Sequence, residues 1–448
     1  MKPYTAGNHS LSQALFADHI VISCVEVSEL APVSRQERIS SVDLVRGFAL
    51  LGILLMNIIG FSFPGIAYGD PSVIGGATGW NLYTWAINYI LFEGKMRALF
   101  SMLFGAGIII FTTRLEAHGA GVRTADLYYR RNLWLMAFGL IHVYFFWGGD
   151  VLYPYGLTAL FLFPFRNVSP KWLIILGVLI LGVVVPGEIM SAREAQRMSL
   201  EERMKKMKPR PERLQRDIDA HRGSFIGEFQ YRAPGVTNRS SIGFYRSIFF
   251  DCCGMILIGM GLFKLGFLSA NWSYREYALV ALIGYAVGIT MNSVTAWRFV
   301  HSGYDPLVQA WAEPLYHIER LVVGLAHAAV LLIVSKAGVS TWLTSRLAAV
   351  GQMAITNYLV QTLVCTTIFD RLRFFGQWQR YQVYYVVAAI WVFQLAISKP
   401  WLEHFRFGPV EWFWRSLTYW KRQPMRIEQP APAAEVPLGL GVPNRLDA

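Results

Sequence analysis

Between residues 44 and 63 the chain runs for twenty residues with Arg46 as its only charged side chain. A stretch of that length and apolarity is what a helix needs to cross the hydrocarbon core of a bilayer. Similar runs recur at 98–111, 132–147, 151–165, 172–185, 248–263, 277–296, 321–334, 347–369 and 383–397. In lipid every backbone polar group must be satisfied within the segment, so these runs predict helices and exclude open sheets. The expected fold is therefore an all-α, polytopic membrane helix bundle of about ten transmembrane helices. The apolar piece at 80–92 is short for a crossing and is read as one re-entrant or interfacial segment. If it does cross, the count becomes eleven and every later loop inverts.

Composition agrees. The 448 residues are 54% hydrophobic, 15% aromatic and only 16% charged, where soluble domains carry about a quarter charged. A net charge of +12 could suggest nucleic acid, but the Lys and Arg sit in loops between apolar runs. That placement sets orientation in a bilayer and attracts anionic lipid, so no nucleic-acid partner is expected. No metal-ligand spacing is present and no metal is expected; Cys24, Cys252, Cys253 and Cys365 are too far apart or adjacent for a disulfide framework. The organisation expected is a disordered extension at 1–38, a transmembrane bundle at 39–190, a hydrophilic charged loop at 191–246, a second bundle at 247–422 and a disordered tail at 423–448. The short basic loops place both termini in the cytoplasm. The basic 191–246 loop then falls outside, against the trend.

Candidate functional residues are polar groups stranded in apolar runs, because charges inside a membrane are expensive and mark cavities or pathways. Asp43 and Arg46 lie one turn apart. Asn57, eleven residues beyond Arg46, returns to nearly the same azimuth about 16 Å further along. His142 sits mid-span, and Gly148-Gly149 can break the helix and fold Asp150 back over it. That pair reads as a general base with its orienter, or as a packing histidine beside a helix cap. Glu93, Lys95 and Arg97 can bind an anionic group or end a helix at the interface. Asn357 and Gln361 share one helix face, as interior hydrogen-bonding groups or as interhelical glue. Beyond the last span, Trp412 reads as an interfacial anchor, and Glu411 and Arg415 have the spacing of an ion pair.

Several words recur together: Arg38-Ile39-x-x-Val42-Asp43-Leu44-Val45-Arg46-Gly47, Lys95-x-Arg97-x-Leu99-Phe100-Ser101, His142-x-Tyr144-x-x-Trp147-x-Gly149-Asp150, Asn357-Tyr358-x-x-Gln361 and Gly408-Pro409-x-Glu411-Trp412-x-Trp414-Arg415. With these, residues 38–422 resemble the YeiB-like family of bacterial inner-membrane proteins, which carry a C-terminal domain of unknown function (DUF418). The first span is also similar to that of transmembrane acyltransferases, among them the acyltransferase-3 proteins and the lysosomal heparan-α-glucosaminide N-acetyltransferase. Acyltransferase-3 proteins place an Arg and, after ten intervening residues, a His on this span. Here the Arg is Arg46, and Asn57, which cannot act as a base, holds the other position. The resemblance implies a multi-pass protein of the inner membrane. It also implies transfer of an acyl group from cytoplasmic acyl-CoA to a hydroxyl or amine of a small-molecule or glycan acceptor outside; the related enzymes carry their essential His in another segment, and here His142 with Asp150, read above from their own positions, would be the catalytic pair. Asp43, Arg46, Asn57, Glu93, Lys95, Arg97, Asn357 and Gln361 would bind substrate or donor. A transporter of a small anionic solute would use the same buried groups, and the sequence leaves a homodimer open.

Overall fold

The computed structural model describes residues 38–427, apart from position 242. The segments read as disordered, and Cys24 with them, lie outside the described residues except at the inner edges. There 423–427 does not trail away: the Arg406 amide donates to the Met425 carbonyl at 2.9 Å and the Ile427 amide to that of His404 at 3.2 Å. Among the described residues the regular elements are all helical, with one isolated β-type pairing between Phe405 and Arg426.

α1 (Ser40–Ser62) is followed by α2 (Gly79–Ile87), which passes through a π turn, Asn88–Phe92, into α3 (Lys95–Ala117). The joint is at Glu93-Gly94, where Gly94 has φ of +73°, a conformation open to glycine. α4 (Arg123–Phe145) and the short α5 (Leu152–Ala159) come next, then α6 (Pro170–Gly182) and α7 (Val185–Arg197). Three polar helices, α8 (Leu200–Met207), α9 (Pro211–His221) and α10 (Phe225–Ser240), occupy the charged loop. The rest are α11 (Phe249–Lys264), α12 (Tyr274–His301), α13 (Pro306–Lys336), α14 (Thr341–Gln352), α15 (Ala354–Thr366), α16 (Arg380–His404) and α17 (Pro409–Tyr419).

Among the described residues six helical runs are long and apolar enough to cross a membrane: α1, α2 with α3, α6 with α7, α12, α13 and α16. The pair α14 and α15 adds a seventh if it counts as one span, but it bends by 83° at Met353. Against the ten runs in the sequence, the difference has local causes. The run at 151–165 makes only eight residues of α-helix, since α5 ends at Ala159 and the chain goes on through a turn into a 3-10 turn, Phe163–Asn167, with Pro164 in its first turn. The run at 132–147 belongs to a helix that starts at Arg123 among charged residues, and α11 has only 16 residues. The piece at 80–92 and the span after it form one candidate run of 39 residues, about 58 Å of helix, which is longer than a hydrocarbon core.

α1 is the hub. It packs on α14, α3, α15 and α16, and 17 of its 23 residues are buried. Its contact with α14 depends on two glycines. A Cβ on Gly47 would collide with the Leu347 carbonyl, and one on Gly351 with the Asp43 carbonyl. Small residues allow such backbone approach, which is how helices associate where lipid removes the hydrophobic drive. The break after α14 leaves the first amides of α15 without helical partners. Glu411 of α17 takes them: Oε1 accepts from the amides of Ile355 (2.6 Å) and Thr356 (3.0 Å), and Oε2 from the Thr356 hydroxyl (2.5 Å). A carboxylate at a helix N-terminus also meets the positive end of its dipole.

Gly351→Ala should therefore lower stability by about 1–3 kcal/mol through overpacking. Thermal unfolding of the purified protein in detergent reads this directly, and an unchanged midpoint would mean that the α1–α14 contact yields without strain.

Candidate functional site

The arginine of α1 opens onto a cavity of about 1070 Å³, counting the solvent space at its mouth, lined by α1, α3, α4, α5, α14, α15 and α17. One end carries Arg38, Arg46, Arg131 and Arg415. Asp43 and Glu411 are the acidic groups there, so four positive and two negative charges leave a net +2. Arg46 Nη1 lies 2.8 Å from Asp43 Oδ1, and Arg38 Nη1 lies 3.6 Å from Oδ2. Asp43 thus stands between two arginines and holds both. Arg131 sits over the Trp414 ring at 4.0 Å and the Phe111 ring at 4.9 Å, which fixes the guanidinium without neutralising it. Arg415 lies over Phe407 and makes no ion pair with Glu411, whose oxygens are taken by α15. Burial pushes the Glu411 carboxyl up, and the hydrogen bonds from Thr356 and Ile355 oppose this. An adjoining cavity of about 660 Å³ shares the four arginines and reaches Tyr419.

From the arginines the cavity passes between apolar side chains, Leu50, Ile53, Phe104 and Leu135 among them, to Val151, Tyr155 and Tyr358. Arg46, Leu50 and Ile53 make one stripe along α1. Asn57 is the next position on that stripe, buried but beyond the lining. Along α4, Arg131 and His142 are eleven residues apart, about 16 Å of helix.

His142 stands one layer behind the far wall, its ring 5.1 Å from that of Tyr358. Its Nδ1 is 2.9 Å from Asp150 Oδ1, and its Nε2 is 3.0 Å from the Thr362 hydroxyl. The Asp150 approach is oblique, so charge and proximity hold the pair more than an aligned hydrogen bond does. The second Asp150 oxygen accepts from the Tyr153 amide at 2.7 Å, in the first turn of α5. Asp150 is therefore orienter and helix cap at once, and both side chains are essentially without solvent. A carboxylate at Nδ1 favours the tautomer whose Nε2 is free to accept a proton; the Thr362 hydroxyl beside it also reaches the Tyr358 carbonyl at 3.3 Å. The Tyr358 hydroxyl is buried and unpartnered on the cavity side.

The other candidates lie elsewhere. Asn357 donates to the Val350 carbonyl and to Ser398 Oγ, each at 3.2 Å, and Gln361 donates to Gln394 Oε1 at 3.0 Å. These bonds join α15 to α14 and α16, and neither side chain lines the cavity. Lys95 and Arg97 belong to a second polar cluster: Lys95 Nζ donates to Asn292 Oδ1 at 2.7 Å, and Arg97 pairs with Asp251 at 3.3 Å. Glu93 sits at the joint between α2 and α3. Trp412 donates to the Gln423 carbonyl at 2.7 Å and holds the chain after α17. Sequence reasoning missed Arg131, Tyr155 and Thr362. Arg131 closes a run of charges that reads as a loop, and Tyr155 and Thr362 carry no signal in an apolar run. Tyr358 was visible only as part of a family word.

Comparison with known proteins locates the chain. Residues 262–421 match a family model described as a protein of unknown function, DUF418. The chain is 32% identical over 395 residues to the uncharacterized protein YeiB of Escherichia coli (strain K12), covering 85% of this chain and 96% of that one. It is 30% identical over 418 residues to the uncharacterized protein YxaH of Bacillus subtilis (strain 168), covering 89% and 98%. It is 27% identical over 402 residues to an uncharacterized 39.9 kDa protein in the amylase 3' region of Bacillus acidopullulyticus, covering 89% and 99%. No solved structure matches.

The double contact of Asp43 yields a prediction. Asp43→Ala leaves two arginines facing each other without their anion, whereas Asp43→Ala/Arg46→Ala removes one of them as well. Losing one partner of a buried pair costs more than losing both. The double variant should accumulate in membranes better than the single one, measured by quantitative immunoblot. Equal levels of wild type and both variants would show that the pair is structurally idle.

Proposed function

Because the chain belongs to the YeiB-like family of DUF418 proteins, we propose a reading of its cavity that joins the family to the transmembrane acyltransferases its first span resembles. In this reading the protein takes an acyl group from acyl-CoA in the cytoplasm and transfers it to a hydroxyl or amine on the other side of the inner membrane. In this reading both termini are cytoplasmic, and α4, the segment 152–167 that α5 opens, and α11 complete ten crossings. The observation that carries the reading is the asymmetry of the 1070 Å³ cavity, with four arginines at one end and a tyrosine-walled, histidine-backed pocket at the other.

The chemistry follows from that asymmetry. Guanidinium groups suit donor phosphates, which they meet with paired N–H donors, and the net positive mouth draws an anion in. The apolar passage takes the donor's arm and excludes water from the thioester. At the far wall the unpartnered Tyr358 hydroxyl can donate to the thioester carbonyl oxygen, where negative charge develops. The acceptor heteroatom bonds to the acyl carbon and the carbon–sulfur bond breaks. His142 Nε2, exchanging Thr362 for the acceptor as its donor, takes the acceptor proton and returns it to the departing thiolate. Asp150 holds the ring and stabilises its charged form. The products are acylated acceptor and free CoA.

His142→Gln keeps the volume and hydrogen-bonding capacity of the side chain but removes the titratable site. It should fold and bind acyl-CoA yet release CoA about 10²–10⁴-fold more slowly in the presence of extracted envelope acceptors. Arg131→Ala should act instead mainly through a raised KM for acyl-CoA. Wild-type turnover in a folded His142→Gln removes the residue from the mechanism, and no CoA release from the wild type with any acceptor removes the reaction.

A further inference from the structure

A second cavity, an open cleft of about 1110 Å³ counting the solvent space at its mouth, lies between α7, α8, α11 and α13. None of its lining residues belongs to the arginine-lined cavity. It lies toward the other end of the bundle, because Glu313 on its wall is near the start of α13, about 34 Å of helix from Lys336. At that end Lys336 meets the carbonyl of Trp272, while nearby Leu268 meets Ser41 at the start of α1. Val184, Met207 and Phe250 give the second cavity apolar walls, and its charged groups are Glu188 and Glu313.

Behind those carboxylates lies His317, only 9% exposed, with Nε2 making no hydrogen bond and standing 3.4 Å from Glu188 Oε1. Its Nδ1 is 2.5 Å from Arg320 Nη2. A guanidinium only donates, so Nδ1 is the acceptor, the proton is on Nε2 and the ring is neutral. Arg320 and Arg97 both spend their charge on Asp251. Among the described residues, then, neither Glu188 nor Glu313 forms an ion pair with a Lys or Arg. One Glu188 oxygen is buried without any hydrogen bond. Glu313 is exposed at the mouth, whereas the Glu188 oxygen is buried, and a buried carboxylate oxygen without a partner is a cost that a cation relieves.

The walls say more about what that cation is attached to. They are side chains of Val, Met and Phe with the room of a small organic molecule, too large and too apolar for a bare ion. The α6–α7 run that forms one side has little of its apolar surface buried inside the bundle, so it faces lipid. We propose that this cavity is a binding site for an amphiphilic ammonium compound, with its cationic head between Glu188 and Glu313 and its apolar part along Val184, Met207 and Phe250. The site is independent of the donor cavity and of any transfer reaction. An anionic solute would meet two carboxylates there and is refused.

The test uses the full chain in nanodiscs of neutral lipid, with octylammonium as the probe and octanol and octanoate as matched controls. Saturable binding is followed by intrinsic fluorescence and by the thermal midpoint, without acyl-CoA. Octylammonium should bind and raise the midpoint, while the alcohol and the carboxylate should not. Glu188→Gln/Glu313→Gln should bind it about tenfold more weakly or worse, the loss expected from about 1.4 kcal/mol. Val184→Trp, which fills the space and keeps both carboxylates, should abolish the same binding and serves if the double variant does not fold. Octanol binding as well as octylammonium would mean that the carboxyls are neutral, and would overturn the proposal. Undiminished binding in either variant, or no saturable binding in the wild type, would overturn it too.

Discussion

The bend at Met353 is the constraint on which the rest of the structure turns. An apolar run long enough for one span is folded through 83°, which exposes the first amides of α15 inside the protein. Glu411 satisfies them from α17, more than fifty residues away in the chain. With α15 set at that angle, Tyr358 comes to the cavity wall and Thr362 to His142. The other half of the bend, α14, is drawn onto α1 through Gly47 and Gly351 and brings Gln352 to the arginine end. One capped break therefore positions both ends of the cavity.

Charge in the interior is sorted, not scattered. Around the first cavity the excess is positive, since Asp43 and Glu411 offset only part of the four arginines. Around the second it is negative, because Asp251 takes up both nearby arginines and leaves Glu188 and Glu313 without one. The cation–π contacts of Arg131 follow the same logic, holding a guanidinium in place while leaving its charge available. Burial of so many ionic groups is not a source of stability in itself. A bundle that keeps two such cavities of opposite sign carries a cost that an apolar packing of equal volume would avoid.

How much of this was legible in the sequence depended on range. The i, i+3 pair of Asp43 and Arg46 is local and could be read from spacing, and the structure has it at 2.8 Å. The return of Asp150 to His142 could be read from Gly148-Gly149, because two glycines between a mid-span imidazole and a carboxylate permit a sharp turn; the side chains lie 2.9 Å apart. The bend at Met353 could not be read, as no proline marks it and hydropathy is continuous across it. Nor could the partners of Glu411: its spacing to Arg415 suggested a helical pair, whereas the amides of a distant helix bind it more strongly. Asp251, His317, Arg320 and Glu188 come from three separate runs, and no pattern within one run shows that they meet. In the run at 151–165 continuous apolarity suggests one span, whereas the α-helix ends at Ala159 and gives way to a 3-10 turn.

The place of His142 one layer behind Tyr358 carries a consequence for how such a site can work. A base that touched the cavity directly would be hydrated whenever the cavity was empty, and its contact with Asp150 would compete with water. Behind the Tyr358 ring, with Thr362 on one nitrogen and Asp150 on the other, the imidazole keeps one tautomer in a dry environment. The same ring that shields it presents an unpartnered hydroxyl to the cavity. Preorganised donors and bases of this kind gain their strength from the absence of water and lose it when the wall opens. The wall must therefore yield only as far as an acceptor's own hydroxyl or amine can replace the Thr362 hydroxyl. That requirement ties the chemistry back to α15, which carries both Tyr358 and Thr362 and is held at its N-terminus by Glu411.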